Sequence, residues 1–147
     1  MTNLQPTTSS TISTLNSLLQ GERSAVATYD QALRHLDGEY ASELETNRSC
    51  HAQRIQVLTR RIHELGGDAT LTGGAWVGIT KVIEQAASLL GHYTVIAALE
   101  QGEEIGLDQY HDAVQKVDSV SRSLIENGLL VAQEHTQWRM SGVKQMA

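Results

Sequence analysis

The chain has 147 residues, 40% of them hydrophobic, which is one ordinary globular domain with enough length to bury a core. A net charge of −6 argues against nucleic acid and against anionic membrane surfaces, both of which want basic patches. The single cysteine, Cys50, rules out an internal disulfide and a cysteine-based zinc cluster. With one proline, no phenylalanine and no period-two runs of β-branched residues, helix is favoured almost everywhere.

Residues 1–10 are polar and Ser/Thr-rich, and read as a flexible N-terminal segment. They lack the basic and apolar regions of a secretory signal, and no apolar run approaches the length of a membrane span. The expectation is a cytoplasmic protein. The bundle proper is expected over 11–142.

Apolar residues then step by four and three through Leu15, Leu19, Glu22, Val26, Tyr29, Leu33 and Leu36, which predicts a helix over 11–37. Ser9, Ser10 or Thr11 can cap its start, and Asp37-Gly38 ends it. A second stripe, Leu44, Arg48, His51, Ile55, Leu58, Ile62 and Leu65, predicts a helix over 39–65, stopped by Gly66-Gly67. The turn between them is short, so the two form an antiparallel hairpin. Gly66 to Gly74 reads as a loop, and Trp76 to Leu90 as a shorter amphipathic helix.

Ile96, Leu99, Glu103, Leu107, Tyr110, Val114 and Val117 predict a helix over 92–117. After the Asp118-Ser119 turn, the weaker stripe Leu124, Gly128, Val131, His135 and Trp138 predicts a last helix over 120–142, with a frayed tail to Ala147. Hairpin, long crossover, hairpin is the layout of an all-α four-helix bundle with one crossover that contains a short extra helix.

The two hairpins share a phrase. Gly21-Glu22, Tyr29 and Ala32 recur as Gly102-Glu103, Tyr110 and Ala113, each 81 residues on (22 to 103, 29 to 110, 32 to 113). Each Glu falls where an apolar stripe should carry an apolar residue, and an unpaired buried carboxylate is too costly to keep. Glu22, His51 and Glu103 lie near the midpoints of their helices and His135 one turn beyond, so all four are expected in one central layer. Glu100 is an alternative to Glu103. Tyr29 and Tyr110 read as core residues whose hydroxyls bond across the bundle, and His35, His63, His92 and His111 as surface residues.

On Gly21-Glu22 through Tyr29, the helix of His51-Ala52 ending Glu64-Leu65-Gly66-Gly67, the segment Gly102-Glu103 through Tyr110-His111-Asp112-Ala113, and His135, the chain resembles the ferritin-like superfamily. More narrowly, it resembles a bacterial ferritin-like family of unknown function. The resemblance spans Ile12 to Trp138 and implies a dimer as well as a metal layer. Di-iron relatives carry Glu-x-x-His on the second and fourth helices. Here Arg48 stands three before His51 and Ala132 three before His135, so both bridging carboxylates are missing.

Two carboxylates do not offset two divalent ions in a dry core, and a guanidinium within one turn of a proposed ligand repels cations. The expectation is therefore a degenerate layer in which Arg48 replaces the metal, in a non-catalytic binding or stress-associated protein. The competing expectation is an iron or manganese oxidase or ferroxidase using Glu22, His51, Glu103 and His135. A third is a single divalent ion (Fe, Mn or Zn) on the same residues, without turnover. No phosphate-binding loop, nucleophile elbow or basic aromatic surface points to another substrate class.

Overall fold

Thr7 opens the first helix: its side chain accepts from the Ser10 amide at 3.0 Å, satisfying one of the amides a helix start leaves unpaired. Helix α1 therefore runs Thr8–His35 and takes in residues expected to be flexible. A computed structural model of the chain describes residues 5–36, 38–70, 79, 81, 83–84 and 91–147. Helix α2 spans Ala41–Glu64. It stops at a Schellman motif, in which Gly66 N–H reaches His63 O at 3.0 Å and Gly67 N–H reaches Ile62 O at 2.9 Å. Gly66 has φ 82°, the left-handed conformation that this cap demands and that glycine adopts without strain.

Helix α3 spans His92–Ala113 and tightens into a 3-10 turn at Val114–Lys116. The Asp118 side chain caps the last helix by accepting from Ser121 N at 2.8 Å, and Arg61 holds the same carboxylate at 3.1 Å. This last helix, α4, is α-helical over Ser119–Leu124, widens into a π turn over Ile125–Leu129, and is α-helical again over Leu130–Met146. It is helical well past the expected end at residue 142.

Two apolar clusters fix the directions of the helices. One holds Ala25, Tyr29, Leu36, Leu44, Val95, Leu99, Met140 and Val143; the other holds Leu15, Leu19, Leu58, Ile62, Tyr110, Val117, Ile125 and Leu129. Helices α2 and α3 both run from the first cluster to the second, so they are parallel, and the chain between them must return the length of the bundle. Helices α1 and α4 run the other way, which makes each hairpin antiparallel. The molecule is an all-α four-helix bundle, with no strand among the described residues. The expected helix Trp76 to Leu90 lies largely outside the described residues. Of the part described, Ile79 and Ile83 are buried in the first cluster.

The π turn sets the face of α4. Its buried residues are Ser121, Ile125, Leu129, Gln133, Thr136, Met140 and Val143. The expected stripe lies largely on the outer face, where Val131 and His135 are exposed and Trp138 is 74% exposed. The buried face includes four-residue steps at the wide turn and polar side chains at its middle, so hydrophobicity alone selects the wrong side. No helix among the described residues is long and apolar enough to cross a membrane.

Candidate functional site

Between the two apolar clusters lies a layer of buried polar side chains. Glu22 from α1, His51 and Arg54 from α2, Glu103 from α3, and Gln133 and Thr136 from α4 are all at most 3% exposed. Two of these elements follow the internal repeat, and the repeat also orders the tyrosines. Tyr29 donates to Glu103 Oε2 at 2.5 Å and Tyr110 to Glu22 Oε1 at 3.0 Å, so each tyrosine serves the glutamate of the other hairpin. His51 stands between the acids, with Nδ1 2.7 Å from Glu22 Oε2 and Nε2 2.8 Å from Glu103 Oε2.

Arg54 lies one helical turn beyond His51 on the same face. Its Nη1 is 3.5 Å from Glu22 Oε1 and donates to Gln133 Oε1; its Nη2 donates to Thr136 Oγ1 at 3.1 Å and lies 3.0 Å from His51 Nδ1. Thr136 passes its own proton to Glu103 Oε1 at 2.7 Å, and Gln133 Nε2 donates to that oxygen at 3.0 Å and to the Glu103 carbonyl at 2.8 Å. The carbonyl contact needs Gly106, where a Cβ would stand 2.7 Å from Gln133 Nε2. Asn47 closes the upper side, donating to Tyr29 OH at 3.0 Å and to the Thr136 carbonyl at 2.9 Å, and accepting from Arg139 at 2.7 Å.

Burial alone would push the His51 imidazole down, but Glu103 and Glu22 on its two nitrogens outweigh it and raise its pKa. For Glu103 burial pushes up, and the charge and hydrogen bonds of His51, with those of Tyr29 and Thr136, hold it below the ordinary carboxylate value. Both tyrosines are raised, first by burial and then by the facing carboxylates, so they stay protonated donors. The two carboxylates at their formal charges face the Arg54 guanidinium, and the upward shift of His51 favours a second positive charge between them, in a place where net charge is costly.

The structure brings together Glu22, His51 and Glu103 as expected, and both tyrosine hydroxyls bond across the bundle. Glu100, the alternative, instead pairs with Lys144 at 3.1 Å. His35, His63, His92 and His111 are exposed.

Two placements are corrected. His135 lies outside the layer, on the rim of an open groove with Glu45, Ser49, Cys50 and Arg139. Arg48 is 39% exposed at its side chain and pairs at the surface with Asp30 at 2.5 Å. An arginine does join the layer, but it is Arg54. Positions 47 and 48 both continue a helical stripe from Leu44, and positions 54 and 55 both continue it past His51. A stripe chosen for apolar content takes Ile55 and passes over Asn47 and Arg54. The available signal was the i, i+4, i+7 spacing of Asn47, His51 and Arg54.

The donor set does not fit a pair of metal ions. All four carboxylate oxygens already accept hydrogen bonds, both imidazole nitrogens face carboxylates, and a guanidinium sits among them. Among the described residues no group of three or more His, Cys, Asp and Glu side chains is arranged to hold a metal ion.

Fold and site together define a class: an all-α four-helix bundle with a charged, hydrogen-bonded layer at mid-height. A family model matches residues 10–116, and the chain belongs to that family, described as a domain of unknown function (DUF2383). The matched region contains Glu22, His51, Arg54 and Glu103 and ends before α4. No curated protein and no solved structure matches the chain.

Proposed function

We propose that this protein is a ferritin-like bundle in which an internal ion-pair network occupies the place of a metal pair, and that it works as a non-catalytic binding or stress-associated protein. Bundles that hold carboxylate-bridged metal pairs place one Glu on each of two helices and Glu-x-x-His on each of the other two. The layer here has the same distribution: Glu22 and Glu103 are the single residues, and His51-x-x-Arg54 and Gln133-x-x-Thr136 are the i, i+3 pairs. On this alignment His51 stands at a bridging-carboxylate position and Arg54 at an imidazole position.

The observation that carries the reading is the buried Arg54 guanidinium beside Glu22. Arginine does not deprotonate at any working pH, so it supplies permanently the positive charge a metal would bring. Metal content of protein purified without chelators, followed by titration with Fe²⁺, Mn²⁺ and Zn²⁺, tests this. Only traces of metal and no saturable binding are expected. Tight iron binding with oxygen consumption would favour the oxidase reading instead, and one tightly held ion without it would favour a structural metal site.

A further inference from the structure

The repeat that relates the two hairpins can be followed through the buried residues of the chain. Along the first helix of each hairpin and into its turn the offset is 81 residues: Leu15 and Ile96, Leu18 and Leu99, Glu22 and Glu103, Tyr29 and Tyr110, and Leu36 and Val117 are all at most 4% exposed. It still holds at Leu44 and Ile125 (44 to 125), both fully buried. From Asn47 and Leu129 (47 to 129) it is 82, and the buried pairs His51 and Gln133, Arg54 and Thr136, and Leu58 and Met140 keep that value. The second hairpin therefore gains one residue between Ile125 and Leu129, which are the two ends of the π turn.

The backbone accounts for that residue. Leu130 N–H bonds to Ile125 O, five residues back rather than four, so this turn holds one residue more than the α turn it replaces. One residue turns the rest of a helix by about 100°. The side chains show why the wider turn is kept. In an unbroken α-helix Gly128, Ala132, His135 and Arg139 would stand where Leu129, Gln133, Thr136 and Met140 stand now. Two large apolar side chains would then leave the core, and Glu103 Oε1 would lose both of its donors on α4. The Arg139 guanidinium would enter an apolar cluster, where an unpaired charge is costly.

We infer that the second hairpin carries one inserted residue among Glu126, Asn127 and Gly128, and that the π turn stores it as a register device. By turning the rest of α4, the stored residue sets Gln133 and Thr136 against Glu103 and holds His135 and Arg139 outside the layer. Glu126, Asn127 and Gly128 are exposed, and a Cβ at Gly128 would meet nothing within 4 Å, so none of the three packs the core. The inference goes beyond the reading above and does not depend on how metal titration turns out, since it uses the repeat, the backbone bonding and the burial alone.

The test is deletion of Asn127 from the full chain, with deletion of Gly128 as a second variant. Either deletion should leave α4 an unbroken α-helix with the layer in place, and a urea midpoint within about 0.5 M of the native chain's is expected. Deletion of Ser49 is the control. That residue is also exposed, but it lies between Asn47 and His51 in the regular part of α2, where no turn stores an extra residue. The control should lose at least about 1.5 M in midpoint, or its cooperative transition altogether. In a Trp76→Phe background, Trp138 of the Asn127 and Gly128 deletions should stay as open to acrylamide quenching as in the native chain, because the C-terminal half of α4 keeps its orientation. Loss of cooperative unfolding in both variants, midpoints nearer the control's than the native chain's, a folded variant with Trp138 shielded, or a Ser49 deletion tolerated equally well would each overturn the inference.

Discussion

Tyr29 donates its hydroxyl to Glu103 across the bundle at 2.5 Å, joining the tyrosine of the first hairpin to the glutamate of the second. Tyr110 returns the bond to Glu22, so the internal repeat is also a spatial exchange, with His51 near its centre. Tyr29→Phe removes this donor and the acceptor of Asn47 Nδ2 while keeping the ring in place. A loss of about 1–3 kcal/mol is expected in urea unfolding, the range for buried partners left unpaired. A change below about 0.5 kcal/mol would mean that the layer relaxes around the missing hydroxyl.

Arg54 should be the least replaceable side chain in the molecule. Arg54→Met leaves Glu22 and Glu103 with only His51 for compensation, and a loss of about 3–5 kcal/mol is expected, as when one partner of a buried pair is removed. Adding Glu22→Gln removes one of the stranded charges and should restore part of the loss. A double-mutant cycle by chemical denaturation measures the coupling, and simple additivity would contradict the pairing.

Arg48 should behave in the opposite way. Its pair with Asp30 is 39% exposed on both side chains, so Arg48→Ala should cost no more than about 1 kcal/mol. The contrast between Arg48→Ala and Arg54→Met separates a surface ion pair from a layer residue two turns away on the same helix.

Stability should vary with pH in a way set by two groups of the layer. The folded pKa of His51 is raised above its ordinary 6.5, so its contribution is complete below that pH and is lost as pH rises through the folded value. The folded pKa of Glu103 is lowered below its ordinary 4.5, so its contribution is complete above 4.5 and is lost as pH falls through the folded value. The layer therefore contributes most between about pH 4.5 and 6.5, and urea midpoints should decline on both sides. His51→Gln should remove the decline on the alkaline side. A wild-type profile that rises steadily through pH 8 would show that the imidazole is neutral in the fold.

The helical spacing of the layer makes a constructive prediction. His51→Glu and Arg54→His with Gln133→Glu and Thr136→His write Glu-x-x-His on both helices. The folded variant should bind about two Co²⁺ or Fe²⁺ per chain, as bundles with that pattern do. The native chain in the same titration is the control. Failure of a folded quadruple variant to bind metal would show that the layer's likeness to a metal centre is one of spacing alone.

Much of this could be read along the chain, because the governing quantities are local. Helix positions follow from apolar period and from glycines such as Gly66, and height follows from residue count at ~1.5 Å per residue. That is why Glu22, His51 and Glu103 were expected at one level and are found there. The repeat of Glu22 and Tyr29 as Glu103 and Tyr110 also singled out Glu103 over Glu100, which the structure pairs with Lys144 instead.

The sequence by itself determined the helices, their order and the level at which polar residues meet. Only the tertiary structure decided which way each helix is turned about its axis. One residue changes that angle by about 100°, so Asn47 or Arg48, Arg54 or Ile55, and His135 or Thr136, are equally good guesses until packing chooses. Polar side chains such as Asn47, Arg54, Gln133 and Thr136 carry no apolar signature to mark the buried face, and the π turn at Ile125–Leu129 breaks the regular count just before α4 reaches the layer. What selects them is partnership: each is buried because a donor or acceptor on another helix stands at bonding distance, and that is settled only when four helices come together.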